Sequence, residues 1–206
     1  YAGILCANTR QPKLIKLSIK PNIAKMFLLA LAGFTFYITC GQLNQAKAHR
    51  QIKRAQDFLI SGNFEDADKL LSPLQESQQN SVSFCMVYGN LLYEQHKYKE
   101  ALFQFDYAKK FTANPTLYDM SARCLFQLKD NNGAISNLYQ LTALSPKTMK
   151  YKFGLMRVLV SYKQINQACI IAKQIVTMEV INPNELTDEY QKEAKVVLKK
   201  YKKQYE

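Results

Sequence analysis

Tryptophan is absent from the 206-residue chain and histidine nearly so, with only His49 and His96. Neither histidine has a Cys, Asp or Glu at metal or triad spacing, and there is no glycine-rich phosphate loop, nucleophile elbow or HExxH. The expectation is therefore no metal site, no cofactor and no catalytic residue within this chain. Five cysteines (Cys6, Cys40, Cys85, Cys124 and Cys169) form no CxxC pair and are too scattered for a disulfide framework. Cys85, Cys124 and Cys169 lie among helical apolar residues, where cysteine behaves as a small hydrophobe. Seven glycines and six prolines are too few for a linker or a low-complexity segment.

Negative charge is missing from the first quarter. No Asp or Glu precedes Asp57, whereas Arg10, Lys13, Lys16, Lys20, Lys25, Lys47, Arg50, Lys53 and Arg54 do, and these supply nine of the twelve net positive charges. An apolar run splits this basic region in two. Basic flanks around an apolar segment mark a membrane protein, because Lys and Arg collect at lipid headgroups. From Met26 no charge appears until Lys47, which leaves about 18–20 residues to cross a bilayer core. A transmembrane helix over 26–43 is expected, and no small-x-small cleavage site follows it. Tyr1 to Thr9 reads as the end of a preceding span. Arg10 to Lys25 is then a short basic loop that the positive-inside rule puts in the cytoplasm, with the remainder of the chain outside it.

The strongest pattern downstream is internal repetition. Ala67, Ala101, Ala134 and Ala168 recur at intervals of 34, 33 and 34 residues. Twelve residues before each stand Ala55, Gly89, Ala122 and Met156, and small residues at both places let the two helices of a hairpin approach closely. Nine before stand Phe58, Leu92, Leu125 and Leu159, all apolar; three before stand Phe64, Tyr98, Asn131 and Ile165, at the hairpin turn. Met156 and Asn131 depart from the pattern. Pro115 and Pro146 follow second helices and are read as stops. The stretch from Asn44 to Ser61 lacks Pro and Gly, so the membrane helix can run into the first repeat. After Pro183, Tyr190, Ala194, Val197, Leu198 and Tyr201 form one apolar stripe that can cap the last hairpin.

These segments resemble the tetratricopeptide repeat family. The second is the best match, through Gly89, Tyr93, Tyr98, Ala101, Phe105 and Ala108. The expected fold is all-α: a tetratricopeptide-like solenoid of about four helical hairpins with an N-terminal transmembrane helix and a C-terminal capping helix. Its divisions are 1–25, 26–43, 44–182 for the repeats and 183–206 for the cap. In such arrays the first helices line a concave groove, and the residues eleven before each alanine point into it. Here these are Gln56, Asn90, Arg123 and Arg157, followed three residues on by Leu59, Tyr93, Phe126 and Val160. Asn90, Tyr93, Arg123, Phe126 and Arg157 are thus the candidate binding residues, for a protein partner or an anionic glycan held by bidentate Arg contacts. The other reading of this face is a solvated one that binds nothing specific. Nucleic acid is not expected.

The chain from Met26 onward also resembles the C-terminal part of bacterial O-antigen ligase or polymerase family membrane proteins of Bacteroidetes type, carried mostly by Ser145 to Tyr201. That resemblance implies the non-catalytic periplasmic tail of an inner-membrane protein that transfers lipid-linked glycans. None of that family's catalytic motifs is present. A membrane-tethered adaptor with no enzymatic parent is the alternative.

Overall fold

A computed structural model of the chain describes residues 21–179 and 184–201. The end of an earlier span and most of the basic loop expected before Met26, and the last residues of the chain, lie outside the described residues. Every regular element among the described residues is helical. The first helix, α1, runs unbroken over Pro21–Ile60. The chain divides into two compact units after Lys47.

In the first unit, α1 is one helix long and apolar enough to cross a membrane. Its large side chains Met26, Phe27, Leu29, Phe34, Phe36, Tyr37 and Leu43 are all exposed. The two threonine hydroxyls in this stretch bond inside the helix, Thr35 Oγ1 donating to the Ala32 carbonyl at 2.9 Å and Thr39 Oγ1 to that of Phe36 at 2.8 Å. Such back-bonding keeps a polar side chain satisfied where no water is available.

The second unit is a series of hairpins. The end of α1 pairs with α2 (Phe64–Leu71), which stops short before Pro73; a single 3-10 turn and the four-residue α3 (Gln75–Gln78) follow. Then come α4 (Val82–Glu94) with α5 (Tyr98–Lys109), α6 (Pro115–Gln127) with α7 (Asn131–Leu144), and α8 (Met149–Ser161) with α9 (Ile165–Val176). The last helix, α10 (Glu185–Lys200), packs on α8 and α9. Its Ala194 and Val197 are buried, while Tyr190, Leu198 and Tyr201 pack partly buried against the same cluster. It caps the stack as the stripe predicts.

All four hairpin turns share one backbone solution. Gly62, His96, Lys129 and Lys163 have φ of 78°, 61°, 63° and 60°, at the repeat interval. Each donates its N–H to the carbonyl three residues back, and the next residue donates five back, as Lys97 does to Leu92 at 2.8 Å. This pairing closes the carbonyls that a helix end leaves open. Phe64, Tyr98, Asn131 and Ile165 then open the second helices. Asn131, polar where the others are apolar, accepts from the Tyr162 hydroxyl at 2.6 Å. Pro115 proves to be the first residue of α6 rather than a stop for α5, a position where its missing N–H costs nothing.

Inside each hairpin two positions sixteen residues apart share one space. Gly89 lies against Phe105, and a Cβ added to Gly89 would stand 2.6 Å from the Phe105 ring. The equivalent pairs are Ala55 and Leu71, Ala122 and Leu138, and Met156 and Ala172, all buried. Gly takes Phe, Ala takes Leu, and Met takes Ala. Met156 is therefore no weakness in the last repeat: the large side chain has moved to the other helix.

The core forms two clusters. One runs from Ile52 to Leu117 and Cys124; the other runs from Ala122 to Val197. The three repeat-domain thiols Cys85, Cys124 and Cys169 are buried, and loss of hydration raises the pKa of each, that of Cys124 to about 12. They are packing residues, poor nucleophiles at neutral pH.

Met156→Ala is expected to cost about 2–4 kcal/mol through the cavity it leaves, and Ala172→Leu about 1–3 kcal/mol through overpacking. The double variant recreates the Ala and Leu pair of the first and third hairpins, so urea unfolding should give a loss well below the sum of the two. Additive losses would show that the two positions do not share one space.

Candidate functional site

On the first helix of each hairpin three positions at i, i+4 and i+7 share one face beside the buried stripe, and Ile52 and Phe153 among them are themselves buried. On α4 these are Met86, Asn90 and Tyr93; on α6, Asp119, Arg123 and Phe126; on α8, Phe153, Arg157 and Val160. The end of α1 supplies Ile52, Gln56 and Leu59. The helices α4 and α6 touch directly. The loop entering α6 also reaches α4, the Asn114 amide lying 3.7 Å from Met86 Sδ. The columns on α4 and α6 are therefore neighbours, and Asn90, Tyr93, Arg123 and Phe126 come from adjoining surfaces.

The two arginines differ from the sequence-based picture of open cationic sites. Arg123 Nε is 3.1 Å from Asp119 Oδ2, one helical turn back. Arg157 Nε is 3.6 Å from Glu193 Oε1 on α10, and its guanidinium lies over Phe153, 5.7 Å from the ring centre. Phe153 stacks on Tyr190 of α10 with centroids 4.3 Å apart. The capping helix thus occupies the α8 column, and Arg157 belongs to the cap contact. Arg123 remains on open surface, its charge partly met by a carboxylate in its own helix.

Asn90 has the opposite character. Its Oδ1 is buried and meets no donor among the described residues; Gln95 Oε1, at the end of the same helix, shares that condition. An acceptor withdrawn from water without a donor costs about 1–3 kcal/mol. Nothing in the folding of α4 requires it, because the helix is closed by the backbone bonds of Gln95, His96 and Lys97. Tyr93, one turn beyond, meets Tyr98 edge-on at 5.4 Å between centroids. Phe126 stacks parallel to Tyr162 at 6.4 Å. Each aromatic is braced by the turn that follows a first helix, leaving a firm apolar wall beside a carboxamide.

Two features escaped the sequence. Asp119 is paired with Arg123 at simple i,i+4 spacing, which could have been read. The burial of Asn90 Oδ1 and the seating of α10 on the α8 column depend on tertiary packing. Among the described residues no group of three or more His, Cys, Asp or Glu is placed to hold a metal ion. A cavity of about 710 Å³ lies at the far end of the stack, lined by Met149, Lys150, Met178, Leu186, Thr187 and Tyr190 among others; through Tyr190 it borders Phe153 of the α8 column.

No family model and no curated protein matches the sequence. Comparison of structures does return matches. A MamA double mutant is similar at TM-score 0.61 and 18% identity over 76% of this chain and 85% of that one. YrrB, described as a tetratricopeptide repeat protein with an unusual peptide-binding site, gives TM-score 0.59 and 18% identity over 80% and 89%. A tetratricopeptide repeat protein from Parabacteroides merdae gives 0.60 and 16% over 76% and 60%. At these identities the likeness is one of fold: the chain has a tetratricopeptide-type solenoid.

If the Asn90 carboxamide serves binding rather than folding, removing it should relieve a burden. Asn90→Leu is expected to raise stability by about 1 kcal/mol in urea unfolding. A loss of similar size would mean that the amide supports the fold.

Proposed function

We propose that this chain is a membrane-tethered interaction module that holds an extended segment of a partner protein against the α4 and α6 columns. The observation that carries this is the buried, undonated Oδ1 of Asn90, flanked by the braced rings of Tyr93 and Phe126. A peptide backbone supplies N–H donors along its length, and aromatic walls accept its side chains. The peptide-binding site named for YrrB, a protein of the same fold, supports the reading. An anionic glycan is less well served, since the guanidinium groups of Arg123 and Arg157 already face carboxylates.

The tether is the apolar part of α1. Its side chains from Met26 to Leu43 bury nothing within their own unit, and such a surface is costly in water. The five positive charges of the segment from Arg10 to Lys25 favour a cytoplasmic position for it and an external one for the repeats. The resemblance of Ser145 to Tyr201 to glycan ligase tails favours a finer version, in which the module is the non-catalytic end of a glycan-transferring membrane protein. The reading frame preceding Tyr1 tests that version: a run of further apolar spans supports it, and an initiator Met just before Tyr1 removes it.

A photo-crosslinking phenylalanine replacing Tyr93 should yield a discrete protein adduct in the native host, reduced at least about tenfold by Asn90→Ala with Arg123→Ala. A glycolipid adduct, or none, would contradict a protein partner. For the tether, the chain should stay in the membrane pellet after carbonate washing, and deletion of 26–43 should release it. A cysteine placed at exposed Ser136 should react with an impermeant maleimide in intact cells; reaction only after lysis would reverse the sidedness.

A further inference from the structure

We infer that the outer face of α5 is a two-fold contact for a second copy of this chain, the two α5 helices packing antiparallel. The second helix of the first hairpin ends at Leu71 before Pro73, and only a 3-10 turn and α3 replace the rest of it. Beside α3 a cleft of about 310 Å³ remains, rimmed by Gln75, Lys99, Glu100, Phe103 and Gln104. Phe103 of α5 is 66% exposed and Phe111, in the turn just past the helix, 58%, high values for phenylalanine. Together with Tyr107 they form a ladder, Phe103 stacking on Tyr107 at 6.5 Å and Tyr107 against Phe111 at 5.3 Å. The Tyr107 hydroxyl donates to Asn80, which fixes the middle rung.

The residues of this face follow a heptad order. Glu100 and Tyr107 take one seam position, Phe103 and Lys110 the other, and Gln104 and Phe111 flank them. In antiparallel helix pairs the two seam positions meet each other. A pairing centred level with Phe105 sets Glu100 of each copy against Lys110 of the other, and Phe103 against Tyr107. The pattern is therefore complementary to itself under a two-fold axis, as an isologous dimer requires. A parallel pairing would set Glu100 against Glu100 and Lys110 against Lys110. Neither residue is used by an ion pair among the described residues; Lys110 lies over the Tyr107 ring at 5.2 Å, close to where the second copy would bring its carboxylate. The buried face of α5, with Ala101, Phe105 and Ala108, is spent on its own hairpin. On the outer face Glu100, Phe103, Lys110 and Phe111 are exposed among the described residues, beside the half-buried Tyr107.

The test is a charge exchange in the full chain in detergent, followed by sedimentation velocity up to roughly 100 µM, since one helix face is smaller than a standard interface. The unaltered chain should dimerise. Glu100→Lys and Lys110→Glu should each weaken the dimer about tenfold, because two pairs turn repulsive at once. The double variant, with both charges exchanged, should recover it. Circular dichroism on each variant guards against misfolding, and Phe103→Ser supplies a second break with no change of charge. A monomer at every concentration overturns the inference. So does a dimer indifferent to both single exchanges, held elsewhere such as along 26–43, or an α5 face that takes up lipid vesicles without dimerising.

Discussion

The repeat domain depends on the width of the gap between the two helices of each hairpin. That gap is set by a pair of buried side chains whose combined size is nearly constant, whichever helix carries the larger one. Once the width is set, the alanines on the second helices can sit at zero exposure and the hairpins can stack in register. Close-packed interiors tolerate little change of volume at such a point, and a repeat architecture multiplies the constraint by passing each hairpin's position to the next. The left-handed turn residues serve the same end, because an identical chain reversal keeps the two helices of every hairpin in the same phase.

Much of this was legible before any coordinates. The alanine interval, the residues that open the second helices and the terminal cap stripe are all local or periodic, and periodicity survives in one dimension. The meaning of the Met156 departure was not legible there, because its compensation, Ala172, lies sixteen residues away on another helix. The turns show a similar limit. Gly62 advertises a left-handed conformation, but His96, Lys129 and Lys163 adopt it with no glycine to announce it. Their backbone is dictated by the hydrogen bonds of the closing helix and not by their own preference. Pro115 was placed correctly in sequence but given the wrong helix, since proline is acceptable both after one helix and at the start of the next.

Of the candidate site, the sequence supplies the columns and little of their character. Counting back from the alanines picks one column on each first helix, because that column follows from hairpin geometry. The electrostatics do not follow from it. Arg123 is met by a carboxylate on its own helix and Arg157 by one on α10, whereas the neutral Asn90 carries the unmet polar atom. The surface is thus less cationic than a net charge of +12 implies, and what it presents is a carboxamide beside flat rings. Long-range attraction to anions has its basis in the basic residues flanking the apolar part of α1.

The two core clusters meet in a single helix. Leu117 and Cys124 of α6 belong to one and Ala122 to the other. Close to that junction Lys109 of α5, its side chain only 14% exposed, binds Asp106 at 2.8 Å and reaches Asn137 of α7 at 2.6 Å. The seam is therefore crossed by a hydrogen bond from a charged lysine and by a shared helix. Long solenoids can shed terminal repeats and leave the remainder standing, but here every cut near the middle strips one side of α6. Stripping α10, α9, α8 and then α7 from the carboxyl end dismantles one cluster and uncovers Ala122 on α6, the helix that also carries Leu117 and Cys124 of the other. The repeat domain is thereby tied into one body at α6, and is not a row of hairpins that can be shed one at a time.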